Sequence, residues 1–186
     1  EFTCYTTVVE DRNFKAPSDL AAAAESAKAL GLNLKVIRID EKYAQQRLGA
    51  IIPLIEDTNV VKAEVALTFY AACEAAATDG CKVIFSGLGS EELFAGYQRH
   101  RNSADISKEC LSGLLKLYER DLYRDDVITM RHSLEARLPY LDKALVKYAL
   151  RIPGGMKLKG DVEKHILRVA ALELGLPEGL ATRRKK

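Results

Sequence analysis

The 186-residue chain is 48% hydrophobic, enough to bury a sizeable core, and its length suits one domain better than two. Twenty-eight basic residues against twenty-six acidic ones leave a formal net charge of +2, a mixed balance that argues against a nucleic-acid coat or a membrane-surface binder. No apolar run approaches the roughly 20 residues of a spanning helix, and the opening "EFTCYTTVVE" lacks the flank and apolar stretch of an export signal, so a cytoplasmic protein is expected.

Phe2 to Val9, rich in Thr, Val and aromatic residues, reads as a strand, and "EDRNFKAPSD" as the polar turn after it. "PSDLAAAAESAKALG" opens with Pro17-Ser18-Asp19 at a capping position and closes on Gly31, the start and stop signals of a helix. "NLKVIRI", Asn33 to Ile39, is a second strand. Asn59 to Thr78 is a long helix with a face of small residues suited to close packing, ended by Asp79-Gly80. "CKVIFSG" is apolar without polar alternation, as expected of a parallel strand covered on both faces. Strand, helix, strand, helix, strand predicts an α/β fold with a doubly wound parallel sheet, which binds ligands beyond the carboxyl ends of its strands.

"FSGLGSEELFAGYQRH", Phe85 to His100, lies at such an end. Gly87 and Gly89 let the backbone turn sharply and approach a ligand, and their N–H groups can face an anion. Glu91 and Glu92 follow at the start of a predicted helix, where carboxylates either suit the helix dipole or hold a magnesium ion with its phosphates. Both readings stay open, because a strand, a Gly-x-Gly turn and an acidic helix start are a weak signal in isolation.

After His100 the strands disappear, and residues 101–186 read as a helical half packed on the α/β part, 1–100, as one body. Breaks fall near Arg137-Leu138-Pro139 and Pro153-Gly154-Gly155. Asp121, Arg124, Asp125 and Asp126 cluster before "MRHSLEARLPYLD", where Glu135 and Arg137 flank an alanine and could pair or anchor a turn. "VEKHILRVAALELG" reads as a helix ending at Gly175, with Lys164 and, one turn on, Arg168. As plain surface ion pairs such charges contribute little. The basic end "ATRRKK" reads as a solvated tail. Cys4, Cys73, Cys81 and Cys110 form no CxxC pair and have no histidine at metal-ligand spacing, so they are expected as free core thiols. His100, His132 and His165 are expected to make structural hydrogen bonds.

"FSGLGSEELFAGYQRH", "DLYRDDVITMRHSLEARLPYLD" and "VEKHILRVAALELGLPE", in this order, resemble the synthetase domain of asparagine synthetases, and the likeness runs from about residue 2 to 186. The resemblance implies a PP-loop ATP pyrophosphatase fold (adenine nucleotide alpha hydrolase-like) with a helical C-terminal half. It also implies an ATP-dependent ligase that adenylates a carboxylate, aspartate in the family, releases pyrophosphate, and lets ammonia attack the acyl-adenylate. Such chemistry needs cations on the phosphates and a pocket poor in water. By the same resemblance Ser86, Gly87 and Gly89 contact the nucleotide, and the strand Tyr5 to Val8, with Thr7 as the candidate contact, borders the adenine. Glu91, where the family usually has Asp, faces magnesium and pyrophosphate with Glu92 beside it. Asp121 and Arg124 match pocket positions, and Lys164 matches the lysine that neutralises the leaving pyrophosphate. The implied cofactors are ATP and magnesium. The implied partners are small substrates and a glutaminase domain or subunit, with no membrane or nucleic acid.

Two features depart from the family. Its Ser-Gly-Gly-x-Asp-Ser phosphate loop appears nowhere in the 186 residues, so either a further segment supplies it or catalysis has been lost. A sheet stripped of a central strand would expose an edge, which favours the first. Leu88 stands where the glutamine-dependent enzymes usually carry a glutamate base, and a leucine cannot take a proton. Attack then proceeds without this base, or another group such as Glu92 serves, or the natural reaction differs. Cys4 sits in a predicted strand and is not an N-terminal nucleophile, so ammonia must be free or delivered. A non-catalytic scaffold and an RNA-adenylating protein are the alternatives, and "SLEARLPYLD" speaks against the second.

Overall fold

The computed structural model describes residues 2–10 and 18–183. The polar turn through Pro17, and Arg184, Lys185 and Lys186 of the basic end, lie outside them. The chain divides into two compact units, the first from residues 2–84 and 123–136 and the second from 85–122 and 137–183. The segment Tyr123–Ala136 returns to the first unit.

In the first unit, β1 (Thr3–Val9) and β2 (Asn33–Ile39) pair in parallel, in register from Thr3 opposite Asn33 to Val9 opposite Ile39. The connection is α1 (Ser18–Leu30), closed by Gly31 at φ +63°, a left-handed turn that glycine adopts without steric cost. Next comes α2 (Glu41–Ile55), absent from the sequence reading. The Asp40 carboxylate accepts from the Tyr43 N–H at 2.7 Å to cap it, and Pro53 is carried inside. The long helix α3 (Val60–Thr78) is capped by Asn59 and buries Ala63, Ala66, Leu67, Tyr70, Ala71, Cys73 and Ala76. These small side chains let it pack against β1, β2, α2 and the returning α7 (Tyr123–Arg131). Ile39, Ile51, Ile55, Leu67, Tyr70, Ile128 and Leu134 fill the resulting core.

The second unit is built from short helices: α4 (Ser90–Phe94), α5 (Gln98–Arg101), α6 (Ile106–Leu115), α8 (Lys143–Arg151), α9 (Gly154–Lys157), α10 (His165–Glu173) and α11 (Glu178–Ala181). A π-helical stretch, Tyr118–Leu122, follows α6, and a 3-10 turn, Pro139–Leu141, precedes α8. Leu93, Phe94 and Ala149 are its buried centre, with Leu145, Val146, Ile166 and Leu167 around them and Phe94 edge-on to Tyr140.

The remaining strands, β3 (Val83–Phe85) and β4 (Glu135–Arg137), are three residues each and pair with one another. Within the first unit the Glu135 N–H donates to the Lys82 carbonyl at 2.8 Å, and within the second the Ser86 N–H donates to that of Arg137 at 3.1 Å. The described strands therefore form two pairs, β1 with β2 in parallel and β3 with β4, in a mixed α/β and mostly helical chain. β4 lies inside the stretch read as purely helical, and among the described residues it is the strand that pairs with β3. Among the described residues no helix is long and apolar enough to cross a membrane. The four cysteines are free, with Cys73 and Cys110 buried and Cys4 and Cys81 half-buried. Burial pushes the Cys73 thiol up to about 12, which makes it an inert core group.

Candidate active site

The turn that follows β3 is held by its own backbone and hydroxyl. Ser86 Oγ accepts from the Leu88 N–H at 3.3 Å, and the Gly87 carbonyl accepts from the Ser90 N–H at 3.3 Å. Gly89 has φ +94°, and a Cβ there would collide with the Leu141 side chain, so both its conformation and its packing require glycine. Gly87, by contrast, is exposed with open space where a Cβ would stand, which leaves backbone accessible beside Ser86.

α4 then presents its two adjacent carboxylates to different neighbours. Lys164 Nζ donates to Glu91 Oε1 at 2.7 Å and to Ser90 Oγ at 3.1 Å, and Ser90 Oγ donates to Glu91 Oε2 at 2.6 Å. Burial pushes the Glu91 carboxyl up, but the hydrogen bonds from Lys164 and Ser90 and the lysine charge outweigh it, and the net shift is downward. The pair is half-buried. Glu92 is only 2% exposed and lies against Gly113 and Arg99, whose guanidinium is 3.8 Å from its Oε1. Burial drives its carboxyl up, the opposite direction from Glu91.

Lys164 reaches this position from an unusual backbone. It caps α10 in the left-handed region, φ 52° and ψ 32°, which costs a non-glycine residue about 1–2 kcal/mol. The helix expected from Val162 thus begins only at His165. Gly96 leaves the space that the lysine side chain occupies: a Cβ there would stand 2.5 Å from Lys164 Cε and 3.0 Å from Glu91 Cα.

Asp121 lies on the π-helical stretch, a backbone irregularity frequent at functional sites. Burial pushes the Tyr97 phenol upward, and the charges of Glu92, Glu91 and Asp121 act in the same direction. Thr7 and Arg124 belong to the first unit. Thr7 stands opposite Ile37 on β1, half-buried, and Arg124 is buried on α7 with Nε 2.9 Å from Asp125 Oδ1. The second unit therefore gathers Ser90, Glu91, Gly96 and Lys164, of which Ser90 and Gly96 were not singled out in the sequence. Both stand inside the glycine-acidic stretch, but their part depends on a lysine 73 residues after Glu91.

Among the described residues no group of three or more His, Cys, Asp or Glu side chains could hold a metal ion. Glu91 is ionised, and each of its oxygens carries one hydrogen bond with a lone pair to spare. That donor set fits an ion bound by one carboxylate and completed by phosphate oxygens and water, the usual state of magnesium on a nucleotide.

Comparison with known proteins gives one answer. The family model for asparagine synthase matches residues 1–110 and 100–186. A Methanocaldococcus jannaschii protein named as a glutamine-hydrolysing asparagine synthetase is 38% identical over 141 residues, 73% of this chain and 26% of that protein. Glutamine-hydrolysing asparagine synthetase B of Escherichia coli is 32% identical over 173 residues, 90% of this chain and 31% of the relative. Asparagine synthetase domain-containing protein 1 of Mus musculus is 39% identical over 107 residues, 52% and 17% of the two chains. The chain thus spans less than a third of the length of these relatives, and with the model matched along its whole length it belongs to the asparagine synthase family.

Proposed function

We propose that this chain is the synthetase-type part of an ATP-dependent ligase that activates a carboxylate, aspartate first among candidates, as an acyl-adenylate for attack by ammonia. The substrate carboxylate oxygen attacks the α-phosphorus of ATP and pyrophosphate leaves. Ammonia then attacks the acyl carbon, giving the amide and AMP with loss of a proton. The observation that carries this reading is the Lys164–Ser90–Glu91 constellation, because it sets an ammonium and a carboxylate side by side at the turn the family uses for its nucleotide. Lys164 offsets the charge that builds on the departing pyrophosphate. Glu91 holds magnesium, which when bound neutralises phosphate charge. Ser86 and Gly87 border the nucleotide, Thr7 the adenine, and Asp121 and Arg124 the substrate pocket. Glu92, buried against Arg99, supports α4 from within. A doubly wound PP-loop sheet fits this reading, with the phosphate loop supplied by a segment outside these residues and ammonia by a glutaminase part or from solution.

Leu88 favours a second reading, a non-catalytic relative that keeps the fold as a scaffold, since no base stands at that position. ATP–pyrophosphate exchange by the full-length gene product, with magnesium and a panel of carboxylates, separates the two. Exchange stimulated by aspartate or one other carboxylate is expected. A folded protein silent with the whole panel would leave the scaffold reading.

A further inference from the structure

Lys164 holds a strained backbone conformation, so something must fix the loop before it. That loop is a tight reversal in which Lys159 and Val162 exchange backbone hydrogen bonds at 3.1 and 3.0 Å, with Gly160 at φ +55°. Packing does not hold its outer side. A cavity of about 620 Å³ lies there, lined by Arg101, Glu163, His165, Arg168, Val169 and Leu172 among others. Two guanidinium groups take the place of packing.

Arg101 Nη2 donates to the Asp161 carbonyl at 2.8 Å, while its Nε stands 3.0 Å from Glu163 Oε1 and its Nη1 3.7 Å from Asp161 Oδ1. Arg168 Nε donates to the Glu163 carbonyl at 2.8 Å, and its Nη1 donates to the Ala181 and Arg183 carbonyls at 2.7 and 2.8 Å. Arg101 belongs to α5, which follows α4 and its Glu91. Arg168 belongs to α10, the helix that Lys164 caps. Two rigid forks thus grip the peptide from both ends immediately before the lysine. The planar spread of donors lets Arg168 bind three carbonyls at once, and lets Arg101 join one hydrogen bond to the Asp161 carbonyl with an ion pair to Glu163; a lysine at either place lacks it.

We infer that Arg101 and Arg168 are positioning residues for Lys164: by clamping Asp161 and Glu163 they hold the lysine in the left-handed conformation from which its ammonium meets Glu91. The inference rests on the role given to Lys164 above, but its test does not depend on activity. Brief acetylation of the full-length gene product with limiting acetic anhydride, read by mass spectrometry, reports how well each amine is protected. In the wild type Lys164, held by Glu91 and Ser90, is expected to be protected, while Lys108, 86% exposed and 3.7 Å from Asp105, is the accessible reference. In Arg101→Gln and in Arg168→Lys, labelling of Lys164 is expected to rise about tenfold, the size of effect that losing one charge-assisted hydrogen bond produces, while Lys108 stays unchanged. Arg101→Lys carries the same expectation should Arg101→Gln fail to fold. Unchanged labelling of Lys164 in folded variants overturns the inference. Raised labelling in a protein whose wild type shows no exchange would uphold the clamp and refute the ligase reading instead.

Discussion

Gly96 is the residue on which the candidate site turns most sharply, because the space above it is filled by the Lys164 side chain. An alanine there meets the lysine Cε and the Glu91 backbone together, and of the two the lysine stem is the one that can move. Gly96→Ala is therefore expected to slow ATP–pyrophosphate exchange by the full-length product at least about tenfold, as a displacement of about 1 Å can. The same substitution should shift the thermal midpoint by no more than a few degrees. Full activity in the variant would show that the lysine does not need that path. Glu91 and Lys164 were both nominated from local motifs, since a carboxylate behind a Gly-x-Gly turn and a lysine in "VEKHILR" are legible one at a time. Their meeting was not legible. Ser90 and Gly96 acquire a part only when the chain closes over 73 residues, and nothing in the spacing of either motif encodes that closure.

At the scale of elements, a polar layer is buried within the second unit where α4, α5, α6 and α9 contribute Glu92, His100, Cys110 and Lys157, each at most 2% exposed. Lys157 is fully buried, and its Nζ has no hydrogen-bond partner among the described residues. Burial pulls its ammonium below the ordinary 10.5, only partly opposed by the nearby Cys110 thiol. Between the lowered folded value and 10.5 the unfolded chain binds more protons, so stability rises with pH through that window and the penalty is full below it. His100 acts in the same sense lower down. Its Nδ1 accepts from the Tyr97 N–H at 3.0 Å, and burial holds it under 6.5, so acid costs stability as pH falls from that value. Lys157→Met is expected to raise the unfolding free energy at pH 7 by about 1–3 kcal/mol and to flatten its climb towards pH 9 in urea titrations. A variant less stable at both pH values would mean that the ammonium has a partner. Long elements with plain punctuation were legible: β1, β2 and α3 stand where alternation and caps put them. α2 was not, because Pro53 reads as a break although Asp40 caps the helix well. α10 starts three residues late because Lys164 turns left-handed. β4, three residues inside a helical stretch, has too short a period to be seen.

At the scale of the molecule, membership of the asparagine synthase family was readable because three motifs recur in order along the chain, and the matched model covers that same span. The division into two units was not, because it depends on Tyr123–Ala136 returning to the first unit through α7 and Leu134, whose apolar side chains give no address in sequence. The Lys164–Ser90–Glu91 constellation sits wholly within the second unit, and the proposed ligase function rests on its one ammonium. The most direct measurement is ATP–pyrophosphate exchange by full-length Lys164→Ala with magnesium and aspartate, set against the wild type. A rate at least about a hundredfold lower is the predicted result, as for loss of a group that stabilises transition-state charge. A rate within about twofold of the wild type would remove Lys164 from the reaction.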